Sequence, residues 1–490
     1  TQNFMRKIAT IILGLGSITG VIKAETLAVL PGTSIQAKID EAAAGDIIAI
    51  FGGTYNQNVT VNKAVRLVEL NGQEVSITGS LRFEGVADCP PFDGFTVGSV
   101  ANRQDIEVID TTGLVLSNLD HTAGRYLHVR GDTSQVEITD SSFNEIQIHG
   151  GQTDIARSTA YRIKQIGGSL VASDVTITLN NERGADWGFY SEPGALQTVL
   201  YRVKTQGSEI WVHSRRNWVG YCQIKNGGLY LGWNTGHDGE RKFVVVGTEV
   251  DRADTNETSG VIADGRAGSI VIANCWIHGI RAYSNDGANQ DNAITVRYPN
   301  HPLFIQNNHL EHVREGADPY SIRVSGDGDY SQIRIRNNYI QNHHARAVMA
   351  RFGALVQGNV LRGATDRSFY VQDGVTIAES DANTKLALVD TDPGFELVSD
   401  PADPDGPGLP NVYRLAEGSV LRDAGTPNPL YNDRDGSRND AGASGGSWYD
   451  PEGWTTDNPV VISFDLTPEL VLEGADTEVT IEGVRAVSKP

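Results

Sequence analysis

Four short segments constrain the fold of this chain more than anything else in it. They are IANCWI from Ile272, IQNNHL from Ile305, IRNNYI from Ile335 and VQGNVL from Val356, with ITDSSF from Ile138 as a weaker copy. Each has an apolar residue, a polar turn pair containing Asn or Asp, then another apolar residue. The four copies start 33, 30 and 21 residues apart. Irregular periods of that size predict a solenoid with loops inserted into some coils. The strands are too short to stand alone, so each coil must cover the apolar face of the next. Asn tolerates the left-handed backbone of a tight corner, and stacked Asn amides can bond from coil to coil as a ladder. An antiparallel sandwich with Asn-rich hairpins is the alternative that strand spacing leaves open.

Charge narrows the partners. The formal net charge of −21 argues against nucleic acid, whose phosphates need a basic face. Cys89, Cys222 and Cys275 are too few and too scattered for a disulfide framework or a zinc site. Met5-Arg6-Lys7 precedes a run of apolar and small residues to Ile22, with a cleavage point near Lys23-Ala24. Residues 5–24 therefore read as a secretory signal peptide, and the mature chain as extracellular or cell-surface. No later segment is apolar for long enough to span a bilayer.

Next comes the one helical signal. In PGTSIQAKIDEAAAGDIIAIFGGTY, Ser34 can cap a short helix with Ile35 and Ile39 on one face, and Gly45 can end it in a left-handed conformation. This stretch resembles the opening of right-handed parallel β-helix proteins of the pectate-lyase-like superfamily, where such a helix plugs the open end of the solenoid. The Asn repeats resemble their coils. DTDPGFELVSD and YRLAEGSVLRDAGTPNPLYNDRDGSRNDAGASGG resemble the C-terminal end of exported bacterial members. The resemblance implies an all-β, right-handed parallel β-helix over residues 25–455, a single solenoid domain with its caps, and a monomer. Residues 456–490 alternate apolar and polar side chains and read as the start of a β-sandwich-like module, cut short.

The resemblance does not fix an activity, because this fold carries lyases, hydrolases, adhesins and passive surface proteins. The hydrolases use clustered aspartates; this chain has no Asp-Asp pair. The lyases remove a proton beside a uronate carboxylate with Arg or Lys, while a cation neutralises the carboxylate. RYPNHP partly matches their Arg-x-Pro pattern and nominates Arg297 as base, against a solvated coil residue. Between Lys242 and Lys385 every basic side chain other than His is Arg, including Arg323. Guanidinium groups grip carboxylates in bidentate fashion, although a salt-bridged surface has the same composition. Trp211, Trp218 and Trp233 lie near His213 and Arg215 and suit sugar rings; packing under loops is their other use. HLEHVRE would hold a metal on a helix but diverges on a β-helix corner.

YNDRDGSRNDAGASGG offers one more site. Asp433, Asp435, Ser437, Asn439 and Asp440 space oxygen atoms as the start of a calcium loop does, without its final Glu. Asx-type side-chain bonds would hold the same loop without metal. Two functions follow. One is binding, and with it cleavage, of an extracellular acidic polysaccharide. The other is a non-catalytic surface or adhesion protein with the solenoid as a rigid spacer.

Overall fold

The computed structural model describes residues 24–487 except 102, 179–186, 234–238, 253–258, 281–291, 313–319, 343–345, 352, 363–368, 373–383, 387–394, 397–413, 448–449, 451–459 and 468–479. The leader read at residues 5–24 falls outside them but for Ala24, as does Glu315 of HLEHVRE. His309–His312 is a strand.

Two sheets, of 27 and 12 strands, take up nearly all the strands, and every pairing within them is parallel. One coil runs Gln197–Tyr201, Lys204–Gln206, Glu209–Val212; the next runs Arg216–Gly220, Gln223–Lys225, Leu229–Leu231. Each strand pairs with its counterpart one coil on: Tyr201 with Gly220, Thr205 with Ile224, Trp211 with Tyr230. The chain is a parallel β-helix. Its three walls are the twelve-stranded face, a middle face (Lys204–Gln206 and equivalents) and a front face (Glu209–Val212 and equivalents). In earlier coils Asp120–Arg130, Ser142–Ile148 and Thr159–Gln165 bend through middle and front, merging both into the larger sheet. Alternation sends Ile210, Val212, Val219, Ile224, Leu229 and Leu231 inward, all fully buried.

One corner keeps the phase. Between the twelve-stranded and middle faces, every coil from Gly94 to Gly358 places one residue at positive φ. The residues are Gly94, Asn118, Asp140, Arg157, Asp174, Arg202, Tyr221, Gly247, Asn274, Asn307, Asn337 and Gly358. Each Asn-Asn pair thus divides its labour. The first Asn is left-handed and turns outward; the second points in and builds the ladder. Asn308 Nδ2 donates to Asn338 Oδ1 at 2.9 Å, and Asn338 Nδ2 to Asn359 Oδ1 at 2.9 Å. Asn308, Asn338 and Asn359 each also donate to a backbone carbonyl of a preceding coil, Ile272, Ile305 and Ile335 in turn. Upstream, Ser141, Ser158 and Thr248 take the inner position, and their hydroxyls accept the backbone N–H groups of Leu119, Ser141 and Cys222, one coil back, at 3.0–3.4 Å.

At the N-terminal end the helix Ile35–Glu41 buries Ile35 and Ile39 completely, and Ser34 Oγ accepts from Ala37 N at 3.1 Å. Its C-cap is Ala42 in extended conformation; Gly45, at φ 94°, serves the turn that follows. Residues 421–446 run as a strap along the flank, on the outward Asn side chains of the left-handed corner. Asn274 Nδ2 donates to the carbonyls of Ala443 and Gly445, Asn307 Nδ2 to Asn439 Oδ1 and the Asp440 carbonyl, and Asn337 Oδ1 accepts from Thr426 N. Underneath, Leu415, Leu421 and Ala441 pack on Tyr339 and Val360. The Gly-rich composition follows from this close approach: a Cβ on Gly445 would meet the Asp440 carbonyl oxygen at 2.0 Å. Val460–Thr467 and Thr480–Val487 form a separate antiparallel pair.

Candidate functional site

On the front face the outward side chains form rows, one residue per coil at ~4.8 Å intervals. One row reads Lys164, Tyr190, Trp211, Tyr230, Ile262, Thr295, Arg323, Met349. Its centre is an aromatic stair. Trp211 stacks on Tyr230 at 4.5 Å and 19°, and Tyr190 lies 6.2 Å from Trp211. Trp187 extends the stair sideways, 5.2 Å from Tyr190 and beneath the Arg162 guanidinium at 4.5 Å.

Glu209 anchors the stair. Its carboxylate is 5 % exposed and accepts from Trp211 Nε1 (2.7 Å), the Tyr230 hydroxyl (2.8 Å) and Arg252 Nη2 (3.1 Å). Burial pushes the Tyr230 phenol up, so it stays a donor to that carboxylate. Arg252 reaches Glu209 from beyond the middle-face strand Glu249–Asp251, so one ion pair ties two walls together. At the stair's upper end Lys164 pairs with Glu192 at 2.7 Å.

The arginines lie farther along. In the next row Asp264 pairs in register with Arg297, and Arg297 with Ser325. Asp264 is already gripped by Arg266, through Nε at 3.0 Å and Nη2 at 2.6 Å. Arg297 instead lies over the Trp233 ring at 4.6 Å, half-buried and with no ion-pair partner among the described residues. Desolvation first, and then the like charge of Arg323, hold its pKa below the usual arginine value. Trp211, His213, Trp233, Arg297 and Arg323 therefore share one wall.

Two of the expected sugar contacts do not join them. Trp218 belongs to the twelve-stranded face, where it covers Gly220 and packs with Tyr201 and Tyr221. Arg215 sits exposed in the turn between front and twelve-stranded faces, its N–H on the Ala195 carbonyl. Tyr190, Tyr230, Glu209 and Arg252 escaped the sequence reading. Strand phase would have found the two tyrosines, since each occupies the Trp211 position one coil away.

The oxygen-rich loop is part of the strap. Asp433 accepts the N–H groups of Asp440 and Gly446, and Asp440 Oδ1 that of Asp423. Asp435 faces solvent and accepts both the N–H and the hydroxyl of Ser437. Asn439 bonds Asn307 and the Tyr431 carbonyl. All five side chains thus have partners in the loop or its corner, and no cluster of three or more His, Cys, Asp or Glu that could hold a metal occurs among the described residues. A melting temperature that rises with calcium and falls with a chelator would show a cation site on this loop; one that stays flat would show a loop held by its own side-chain bonds. Acid should act on it as well. Desolvation, with Asp440 and Asp435 adding repulsion, pushes Asp433 up to about 6. A carboxyl raised in the folded state contributes stability below its unfolded pKa and loses it as pH rises through about 6. The wild type should therefore gain melting temperature from about pH 7 to about pH 5 relative to Asp433→Asn. Parallel curves for the two proteins would contradict this.

No family model matches the chain, and no curated protein does. Among solved structures, the crystal structure of pectate lyase Pel9A is similar at 15 % sequence identity, with a TM-score of 0.30, over 86 % of this chain and 97 % of that one. The β-helix assignment rests on the strand pairing described above.

Proposed function

We propose that the front face binds an acidic polysaccharide outside the cell. The observation that carries this is Arg297: a half-buried guanidinium on an indole face, with no ion-pair partner among the described residues, one row over from an aromatic stair. Desolvating a guanidinium without a counter-ion is unfavourable, and a ligand carboxylate offsets that cost through a bidentate pair. Sugar rings pack on Tyr190, Trp211 and Tyr230, and a carboxylated ring farther along meets Arg297 and Arg323.

Cleavage by β-elimination is the accompanying reading, with Arg297 as base. Burial and Arg323 both disfavour its charged form, which is the shift a proton acceptor requires. The test is calorimetric titration against polygalacturonate and alginate, with ultraviolet absorbance followed for unsaturated products. Trp211→Ala and Arg297→Ala are each expected to weaken binding roughly ten- to hundredfold. Absorbance that rises with wild type and not with Arg297→Ala supports the lyase reading. Wild-type protein that binds no polyuronate would sink the proposal.

A further inference from the structure

By alternation Ile210 and Val212 point into the solenoid, so Trp211 and His213 point outward. His213 is nonetheless only 1 % exposed, and neither Nδ1 nor Nε2 has a hydrogen-bond partner among the described residues. Its ring stands edge-to-face with two members of the stair, Tyr190 at 5.2 Å and 87° and Trp211 at 5.9 Å and 83°. Its backbone is held on both sides. The N–H donates to Ser191 Oγ at 2.7 Å, and the carbonyl accepts from Arg241 Nε at 3.1 Å.

The interior changes character behind it. The inward row that is Ile148 in one coil and Val212 in another becomes Gln165 and Ser191 in between. Gln165 accepts from Thr198 Oγ1 at 2.6 Å and donates to the carbonyls of Gly168 and Gln197. This polar patch satisfies itself and supplies the hydroxyl that fixes His213. The imidazole is left without hydrogen-bond partners among the described residues. Burying such a group weakens the fold, and cost of that kind concentrates at functional sites.

We propose that His213 reads a hydroxyl group of the sugar seated on Tyr190 and Trp211. This rests on the glycan-binding reading and adds to it a subsite for the uncharged edge of a ring, distinct from the carboxylate subsite at Arg297. A neutral imidazole presents one donor and one acceptor on different edges, and a sugar hydroxyl can answer either. Burial, then Arg241, push the imidazole down to about 4, so it remains neutral and ill-suited to a carboxylate. Lys164 and Arg252 at this end of the stair are already paired, with Glu192 and Glu209.

Two substitutions separate reading from packing. His213→Leu fills the space and removes the polar atoms; His213→Gln restores a donor and an acceptor. The leucine variant is expected to melt at or above the wild-type temperature. It should lose roughly ten- to hundredfold in affinity, by the same factor for a polyuronate and for its carboxyl-reduced form. Glutamine should recover most of that loss, while Arg297→Ala weakens only the acidic form. Wild-type affinity in His213→Leu overturns the proposal. Should that variant not fold, the wild-type imidazole resonance decides: it must move on saturation with saccharide, and an unmoved signal overturns the idea. Binding of carboxyl-reduced chains alone would refute the acidic reading while the same variants still judge His213. Binding of neither form refutes both.

Discussion

Asn338→Leu is expected to cost about 3 kcal/mol of stability, read as a lowered melting temperature. The side chain is fully buried and makes four bonds. Its Oδ1 accepts from the backbone and side-chain nitrogens of Asn308 at 3.0 and 2.9 Å, and its Nδ2 donates to Ile305 O and Asn359 Oδ1 at 3.0 and 2.9 Å. Leucine matches the volume and supplies none of these. Two donors and two acceptors would then be stranded where water does not reach. Asn337→Ala makes a useful contrast: it frees Thr426 N from its acceptor and so loosens the strap, leaving the inner ladder intact. An unchanged melting midpoint for Asn338→Leu would show that the ladder is decorative.

Glu209→Gln is the second large effect. Glutamine keeps the shape and removes the charge that faces Arg252, a side chain only 2 % exposed. Breaking a buried pair from one side typically costs about 3–5 kcal/mol, mostly for the charge left behind. The amide also keeps only one acceptor oxygen, so its NH2 must face either the Trp211 indole N–H or the Tyr230 hydroxyl, which are both donors in the native site. Saccharide affinity should fall with stability because the stair loses its anchor. The double variant Glu209→Gln/Arg252→Met should recover stability without recovering affinity. A Glu209→Gln protein within about 0.5 kcal/mol of wild type would show that the ion pair contributes little.

The solenoid was readable because its rules are local. A left-handed Asn followed by an inward Asn is a statement about two adjacent residues, and the copies at Asn307-Asn308 and Asn337-Asn338 repeat it. The front-face site follows a different rule. Which residues meet depends on the phase of each strand and on the length of each inserted loop. Trp211 and Trp218 are close in sequence, yet a corner puts them on different walls. Tyr190 and Tyr230 are a full coil away and touch or approach Trp211. Glu209 and Arg252 lie 43 residues apart and meet only because three successive coils stack in register. The strap follows neither rule. Its oxygen spacing reads as a calcium-like or Asx-bonded loop, whereas its partners are the outward side chains of Asn274, Asn307 and Asn337, which lie on coils 89 to 171 residues earlier in the chain.

A stack of coils that touch only their neighbours can fray one coil at a time from its end. The strap removes that option here. Asn274, Asn307 and Asn337 stand on three successive coils, and all three are bonded to one continuous segment. No one of these coils can peel away without pulling on a segment that also grips the other two. The C-terminal part of the body should therefore open as a block, in a single step under heat, protease or mechanical load. The size of that step is set by the reach of the strap, whereas the unstrapped coils toward the N-terminus are free to give way one after another.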